Sequence, residues 1–348
     1  MINDFYFDRM NKVNASDFYA EYHGHKVQHL KVVYSCLRKE TEQGLIWTAG
    51  DSSLDNKYWF RDSRPAVGAY RDALEPAISN ADVTYWLNYH GINERRNQKY
   101  AAINTAIEAT TLNSRAFRLK AQDKFLRDNI QQDDVLIVSV GGNDIALAPT
   151  PCTIMSLLCL PHMCMPYSKV FGSIPMDDKC CGCGCSLLSC GCAFPPCLGY
   201  LVHLFGTRVQ KYIERLISKT RPKKILVCMI YYLDENPSPS WAGPALGALG
   251  YNSHPERIQL LIRKIFMEAT SSIQIPGSEV IPVPLFNALN GKDHSDYIAR
   301  VEPSSKGGEK MAEYLLDMID NGPSPSQSVL VSTTQMMPVE SSYIADRT

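Results

Sequence analysis

Two short motifs carry side chains suited to acyl-transfer chemistry. The first is Gly50-Asp51-Ser52, which directly follows an apolar run. A serine at the end of a strand can present its Oγ for attack on a carbonyl carbon. The second is Gly141-Gly142-Asn143-Asp144, also after an apolar run, and the Asn143 amide is a good donor to a developing oxyanion. Either motif alone is also typical of an ordinary turn or helix N-cap.

The elements that must position these motifs are predicted from apolar periodicity. Strand-like runs alternate with helical patterns, which is typical of an α/β protein with a parallel sheet. Right-handed crossovers then predict a three-layer α/β/α sandwich around a mainly parallel, five-stranded sheet. The predicted strands are Leu45–Gly50, Val83–Tyr89, Val135–Val140, Ile225–Tyr232 and Val280–Phe286. The stripes that predict helices begin at Val27, Val209, Ile258 and Met311.

Both motifs end predicted strands, and the carboxyl ends of parallel strands face one crevice. In this arrangement the sequence resembles the SGNH hydrolases, also called the GDSL esterase/lipase family. The family's Gly-Asp-Ser block is matched at Gly50-Asp51-Ser52, and its Gly-x-Asn-Asp block at residues 141–144. The resemblance implies a flavodoxin-like sandwich over about residues 44–320. It also implies Ser52 as nucleophile, with the Ser52 backbone N–H and the Asn143 side chain as oxyanion donors.

The family's remaining oxyanion donor is the backbone N–H of a glycine that follows strand two. Because Val83–Tyr89 is predicted to be that strand, Gly91 is the best candidate for this role. The spacing leaves Asn93 open as an alternative. Gly91 is equally compatible with a simple turn.

The last family block, Asp-x-x-His-Pro, is where this sequence departs from the pattern. Pro303 matches the proline, but Glu302 occupies the histidine position and Ala299 the aspartate position. The ordinary Ser-His-Asp triad is therefore in doubt. One alternative is that Glu302 is itself the base, since burial can raise the pKa of a carboxylate.

A second alternative takes the base from the same loop. His294 lies in Asp293-His294-Ser295-Asp296, so Asp296 or Asp293 could orient its ring. His90 and His254 are further candidates. A third alternative is a site that binds an ester or carbohydrate without cleaving it. The sequence thus predicts hydrolysis of a carboxylic ester or related acyl bond, without metal or organic cofactor, and leaves a binding or scaffold protein as the alternative.

A cysteine-rich insertion, at about residues 151–200, follows the Asn143 motif closely. Ten of the twelve cysteines fall between Cys152 and Cys197. Their spacing is compatible with four hypotheses about their role: a zinc site, S-palmitoylation with peripheral membrane contact, a disulfide-stapled lid, or a reduced loop without assigned chemistry. The position predicts a lid over the crevice. The leucines of the insertion favour a hydrophobic substrate over a sugar.

Composition and length are those of a globular chain with one large core. The 348 residues divide into a helical extension (1–43), the hydrolase-like domain (44–320) and a Ser/Pro/Thr-rich tail (321–348) expected to be disordered. A formal net charge of −1 gives no electrostatic reason to expect nucleic acid as a partner. The start of the chain does not resemble a secretory signal, so we expect a cytoplasmic protein that acts on a small ester.

Overall fold

The computed structural model describes residues 12–40, 44–92, 100–146 and 198–323. Its strands, in chain order, are β1 Val13–Asn14, β2 Leu45–Gly50, β3 Ser63–Pro65, β4 Leu74–Glu75, β5 Ile78–Asn80, β6 Ala101–Asn104, β7 Val135–Ser139, β8 Lys224–Met229, β9 Glu279–Pro284, β10 Tyr297–Ile298 and β11 Glu302–Pro303. Five of them form the central sheet, in the order β6-β2-β7-β8-β9. All neighbours in this sheet are parallel.

The helices complete the chain between these strands. They are α1 Ala15–Ala20, α2 Val27–Glu40, α3 Tyr70–Ala73, α4 Val83–Gly91, α5 Leu112–Arg115, α6 Ala121–Asn129, α7 Gly142–Ala146, α8 Leu198–His203, α9 Val209–Leu216, α10 Gly243–Ala248, α11 Pro255–Glu268 and α12 Ser305–Asn321. A π-helical turn, Leu204–Arg208, joins α8 to α9. The four helices predicted from apolar stripes are α2, α9, α11 and α12, and their presence is confirmed.

Helices cover both faces of the central sheet. One face, which includes Trp47 and Val138, packs against α2, α6, α9 and α11. The other face, which includes Ile46 and Ile137, packs against α4 and α12. Successive side chains of a strand point to opposite faces, so strands covered on both sides are apolar throughout. The predicted three-layer α/β/α sandwich with a five-stranded parallel sheet is confirmed.

One strand prediction is wrong. Val83–Tyr89 forms most of helix α4, and the second strand of the sheet in chain order is Ala101–Asn104. Asp82 caps the helix by accepting a hydrogen bond from the Tyr85 backbone N–H at 2.7 Å. The helix is buried on nearly all sides, so it lacks the polar face that marks a surface helix in a sequence. Its β-branched and aromatic residues therefore resemble a strand.

Several predictions concern residues outside the described ranges. They are the Cys-rich insertion up to residue 197, the tail beyond residue 323, and Asn93. Cys228 is a buried free thiol. Over residues 12–40, 44–92, 100–146 and 198–323, no helix has both the length and the apolar character needed to cross a membrane.

Candidate active site

The Ser52 turn begins where β2 leaves the sheet. The Asp51 backbone N–H donates to the Ser139 carbonyl at 3.0 Å, which ties the turn to the end of β7. Gly50 has φ of 132°, and a Cβ at this position would lie 1.7 Å from the Ser139 carbonyl oxygen. Only glycine fits there. The turn presents Ser52 at the carboxyl edge of the sheet, as the sequence predicts.

Glu302 is the side chain that meets Ser52. The Ser52 Oγ donates to Glu302 Oε1 at 3.3 Å, and both residues are largely buried, at 7% and 6% exposure. Glu302 lies on β11, which pairs with β10 in a short antiparallel hairpin. Asn56 fixes this hairpin over the Ser52 turn, because its amide donates to the Pro303 carbonyl at 3.0 Å. The structure thus brings together two residues that are 250 positions apart in the chain.

Burial raises the pKa of Glu302 to about 8. The hydrogen bond from Ser52 acts in the opposite direction, and the nearby Asp51 and Asp55 carboxylates raise the pKa further. The carboxyl is therefore mostly protonated at neutral pH, and it becomes a proton acceptor only as the pH approaches 8. The second oxygen, Oε2, is buried and has no hydrogen-bond partner among the described residues.

Asn143 reaches the same edge from the end of β7. Its side-chain amide donates to the Thr110 carbonyl at 3.2 Å, which leaves the second amide hydrogen for another acceptor. The next residue, Asp144, accepts from the backbone N–H groups of Leu112 at 2.7 Å and Asn113 at 3.1 Å. The Gly-Gly-Asn-Asp motif therefore anchors the loop that follows β6.

The predicted role of Gly91 as an oxyanion donor does not fit the structure. Gly91 is the last residue of α4, and its carbonyl accepts from the Tyr100 N–H at 2.9 Å. Tyr100 precedes β6, so Gly91 lies at the amino edge of the sheet. Ser52 lies at the carboxyl edge, beyond the other end of the parallel strand β2. The error follows directly from the wrong assignment of Val83–Tyr89.

Ala109 offers the backbone N–H that Gly91 cannot supply. It follows the true second strand, and it has a φ of 54°, in the left-handed region that non-glycine residues seldom adopt. Its neighbour Thr110 contacts both sides of the site, through the Asn143 amide and through a 3.4 Å hydrogen bond to the Gly50 carbonyl. Among the described residues, the N–H groups of Ser52 and Ala109 have no acceptor. The unusual φ was not detectable from the sequence, since Ala109 is not a glycine.

Hydrogen bonds among buried polar groups stabilise the Ser52 turn. The Ser53 Oγ donates to Asp51 Oδ1 at 2.8 Å, and burial raises the pKa of Asp51 to about 6. Arg115 is 1% exposed and donates to the Gly50 carbonyl at 2.8 Å and to Asp123 Oδ2 at 3.0 Å. Because these donors and acceptors are paired, the turn is fixed by hydrogen bonds rather than by packing alone.

A second buried network lies beside the first. Lys57 is fully buried and donates to both oxygens of Asp55, at 2.7 and 2.9 Å. Asn104 donates to Asp55 Oδ1 at 2.9 Å, and the Glu108 N–H donates to Asp55 Oδ2 at 3.1 Å. The Glu108 side chain takes no part in this pairing. Sequence reasoning missed Glu108, and no local motif marks it.

His294, the second candidate base, contacts Asp234 and not Ser52. Its Nδ1 hydrogen-bonds to Asp234, which is buried, while the His294 ring is 56% exposed. Asp234 follows β8 and was not identified from the sequence. The predicted partners are engaged with lysines: Asp296 binds Lys310 at 2.7 Å, and Asp293 accepts from the Lys306 ammonium at 2.8 Å. The prediction that Asp296 or Asp293 orients His294 is therefore wrong. No hydrogen bond joins His294 to Ser52.

The other histidine candidates also contact groups outside the Ser52 turn. His90 stacks on Trp86 with ring centroids 5.6 Å apart and lies 3.3 Å from Glu309. His254 pairs with Glu256 at 3.1 Å. Within the ranges that the structure describes, no group of three or more His, Cys, Asp or Glu side chains is arranged to hold a metal ion.

Comparisons with known proteins give only distant similarities. No family model and no curated protein matches the chain. Among solved structures, it is similar to an α/β hydrolase enzyme from the metagenome of Lake Arreo, Spain, with 13% identity, a TM-score of 0.36, and coverage of 81% of this chain and 97% of that chain. It is also similar to a variant of an acetyl xylan esterase from Geobacillus stearothermophilus, with 14% identity, a TM-score of 0.38, and coverage of 80% and 95%. With TM-scores this low, these similarities assign neither a family nor an activity to the chain.

Proposed function

We propose that the chain is a serine hydrolase of the SGNH type, which cleaves a carboxylic ester or related acyl bond through an acyl-enzyme on Ser52. The observation that carries the proposal is the hydrogen bond from Ser52 Oγ to Glu302 Oε1, at 3.3 Å. A serine hydroxyl is a weak nucleophile unless a proton acceptor lies within reach, and Glu302 is the acceptor in contact with it. The match of the Ser52 and Asn143 motifs to the family's blocks adds support.

In the proposed acylation step, the ionised Glu302 carboxylate takes the proton of Ser52 Oγ as that oxygen bonds to the substrate carbonyl carbon. The carbonyl π electrons move to the oxygen, which becomes an oxyanion. Its donors are the backbone N–H groups of Ser52 and Ala109 and the side-chain amide of Asn143. Collapse of this intermediate breaks the bond to the alcohol oxygen, which takes the proton from Glu302 and leaves.

Deacylation repeats the sequence with water as the nucleophile. Glu302 takes a proton from the water as its oxygen attacks the acyl carbonyl carbon. When the second oxyanion collapses, the bond to Ser52 Oγ breaks and Glu302 returns the proton to that oxygen. The carboxylic acid is released, and the enzyme is restored without any change in net atoms or charge. These steps involve no redox change.

A binding protein without turnover is the second candidate, and one observation favours it. With a pKa of about 8, Glu302 is mostly protonated at neutral pH, and a protonated carboxyl cannot accept the Ser52 proton. The site would then hold an ester without cleaving it. The two functions differ in whether Ser52 is activated at a pH above 8.

A fluorophosphonate probe tests this activation directly, because it labels activated serines. We expect the purified chain to be labelled at pH 8.5, and Ser52→Ala to abolish both labelling and the turnover of a short-chain ester. Ser278→Ala is the matched control: its Oγ donates to the Pro222 carbonyl at 2.7 Å, before the start of β8 and far from the carboxyl edge, so the variant should still be labelled. Circular dichroism checks that both variants fold. Undiminished ester turnover by Ser52→Ala would disprove the assignment, whereas an unlabelled, inactive wild-type protein would favour the binding function.

A further inference from the structure

Two carboxyl groups near Ser52 lack the partners that buried acids ordinarily have. Both oxygens of Glu108, and Oε2 of Glu302, are buried without a hydrogen-bond partner among the described residues. Glu108 is only 1% exposed. The Ile107 N–H donates to the Gly50 carbonyl at 3.0 Å, so the loop that carries Glu108 lies against the Ser52 turn, where Ser52 Oγ contacts Glu302 at 3.3 Å. The Glu302 carboxylate also contributes to a rise in the pKa of Glu108 to about 9, after burial and the Asp55 carboxylate. Burial of a carboxyl group without a partner costs folding free energy, so a ligand that interacts favourably with this pair would be expected to bind there.

The protein's own cations do not neutralise this pair. Lys57 is the one buried lysine among the described residues, and its ammonium donates to both oxygens of Asp55, at 2.7 and 2.9 Å. Within the described ranges, neither Glu108 nor Glu302 forms an ion pair with a lysine, arginine or histidine. Lys57 opposes the rise in the pKa of Glu108 without forming an ion pair with it, so a ligand with a positive charge would meet two carboxyl groups that lack a direct ion-pair partner among the described residues.

Four aromatic side chains form two contacting pairs, each with one member near the same carboxyl groups, and we call them the aromatic rim: Tyr22, Tyr58, Trp59 and Trp241. Tyr22 and Tyr58 meet edge to face with centroids 4.8 Å apart, and Trp59 and Trp241 stack with centroids 6.4 Å apart at 19°. Tyr58 and Trp241 are each 44% exposed. The rim therefore presents ring surface toward solvent rather than being sealed in the core.

Several interactions place the aromatic rim beside the carboxyl pair. The Tyr22 and His23 rings meet with centroids 4.7 Å apart, and His23 Nδ1 lies 3.4 Å from the Glu108 carbonyl oxygen. The carboxylates of Glu108 and Glu302 both contribute to raising the pKa of Tyr22, after its burial. The Trp59 indole N–H has no hydrogen-bond partner among the described residues but is close enough to Glu108 to oppose the rise in its pKa. Ser240, next to Trp241, donates to the Ala299 carbonyl at 2.7 Å, which ties the segment that precedes Trp241 to the loop that leads to Glu302.

We propose that the substrate is an ester whose alcohol carries a cationic ammonium head, held between Glu108, Glu302 and the aromatic rim. This inference rests on the proposed function and specifies its substrate class. A quaternary ammonium group near the faces of Trp and Tyr rings gains cation–π attraction, which is larger when the group is desolvated. An adjacent carboxylate gains a counter-ion. A neutral sugar could stack on the same rings, but it would not favour the ionised form of either acid.

Such a substrate would also supply the charge that makes Glu302 a base. An opposite charge within a few ångströms favours the ionised form of a carboxyl and lowers its pKa. Binding of the ammonium head would therefore ionise Glu302 at a lower pH than in the free protein. A neutral ester of the same shape would not have this effect, so the two esters should differ in pH dependence as well as in affinity.

The test compares acetylcholine with 3,3-dimethylbutyl acetate, which has the same shape without the charge. We expect the purified full chain to prefer acetylcholine at least tenfold in kcat/KM at pH 7. The acid limb of its kcat profile should also lie at lower pH than that of the neutral ester. Glu108→Gln and Trp241→Ala should each reduce the preference severalfold, and Glu256→Gln, an exposed acid, should keep it. Equal turnover of the two esters would overturn the inference and leave the hydrolase proposal standing, and so would a preference that survives in both Glu108→Gln and Trp241→Ala.

Calorimetric titration with tetramethylammonium chloride, with sodium chloride as control, separates binding from turnover. We expect saturable binding that Glu108→Gln weakens at least threefold. If neither ester is turned over but this binding is present, the cation site stands and the hydrolase proposal fails. If the titration shows no tetramethylammonium binding, the cation site is wrong whatever the kinetics show.

Discussion

Glu302 occupies a position where a serine nucleophile ordinarily meets a histidine, and this difference should appear in the pH dependence. A histidine base is ionisable near pH 6.5, whereas burial raises the pKa of Glu302 to about 8. For a base the active form is the deprotonated one, so activity is lost as the pH falls through the pKa. A hydrolase that uses Glu302 should therefore be most active in mildly alkaline solution.

We predict that kcat/KM for a neutral short-chain ester rises about tenfold per pH unit below 8 and levels off above it. Glu302→Gln should lower kcat/KM at pH 8.5 by at least 100-fold, because an amide cannot accept the Ser52 proton. His294→Ala is the comparison variant, and it should retain most of the activity, since His294 binds Asp234 and not Ser52. A profile that levels off near pH 6.5, together with an inactive His294→Ala, would instead assign the base to His294.

Asn143 has one amide hydrogen committed to the Thr110 carbonyl, at 3.2 Å, and the other remains for the oxyanion. Removal of one such donor typically lowers kcat by about 10²–10³-fold, because it is aimed at charge that develops in the transition state. We predict a loss of this size in kcat for Asn143→Ala, measured by steady-state kinetics at pH 8.5. A change confined to KM would make Asn143 a residue that positions the substrate.

At the scale of elements, the loop after β6 connects the sheet to the site. Its geometry depends on Ala109, whose φ of 54° costs an L-residue about 1 kcal/mol relative to glycine. The loop accepts this conformation because neighbouring contacts hold it, including the Asn143 amide on Thr110 and the two N–H groups that bind Asp144. Conformational strain at this position is thus coupled to the placement of the N–H that we propose as an oxyanion donor.

We predict that Ala109→Gly stabilises the protein by about 0.5–1 kcal/mol, because glycine adopts a positive φ without steric cost. Ester hydrolysis should be retained, since the backbone N–H is kept. Ala106→Gly in the same loop is the matched control: Ala106 is fully buried and lacks a positive φ, so this change should destabilise the protein. Urea unfolding measures both free energies. Equal destabilisation by the two variants would show that Ala109 does not adopt the left-handed conformation.

At the scale of the whole molecule, the sequence predicts the three layers and four of the five strands of the central sheet, but not the fifth strand. The strands β2, β7, β8 and β9 are apolar runs of the expected length, and periodicity identified them. The fifth, Ala101–Asn104, is short and alanine-rich at the edge of the sheet, so it lacks the β-branched signal that marks a strand. The apolar residues of helix α4 predict a strand instead, and this error places the predicted oxyanion donor, Gly91, at the wrong end of the sheet.

The candidate site was predictable where it depends on residues that end strands. Ser52 and Asn143 were found this way. Contacts between distant segments were not predictable, because no local pattern records which side chains tertiary packing will bring together. The pair of Glu302 with Ser52 was only one of several alternatives, while Glu108 and Asp234 carry no signal in their neighbourhood. Their environment depends on the burial that the complete fold creates.

The buried acids near Ser52 should make the stability of the whole protein fall as the pH rises. Burial raises the pKa of Glu108 from its ordinary value of 4.5 to about 9, that of Glu302 to about 8 and that of Asp82 to about 7. Below about pH 3.8, the ordinary pKa of an aspartate such as Asp82, these groups are mostly protonated in both the folded and the unfolded chain. As the pH rises above that value, the unfolded chain ionises first while the folded protein keeps its protons. Each group therefore contributes stability that is lost progressively up to its folded pKa.

We predict that Glu108→Gln is more stable than the wild-type protein at pH 8, by about 1–3 kcal/mol, and that the difference shrinks toward zero at pH 4.5. The amide does not titrate, so it keeps a neutral group in the same buried position at every pH. Urea unfolding at both pH values measures the two differences, and Glu256→Gln, at an exposed acid, should change neither. The comparison also bears on the ligand: a bound ammonium ion makes the ionised Glu108 favourable, so tetramethylammonium should stabilise the wild-type protein at pH 8 more than the variant. A variant that is less stable than the wild type at pH 8 would mean that the Glu108 carboxyl has a partner that compensates its charge in the folded protein.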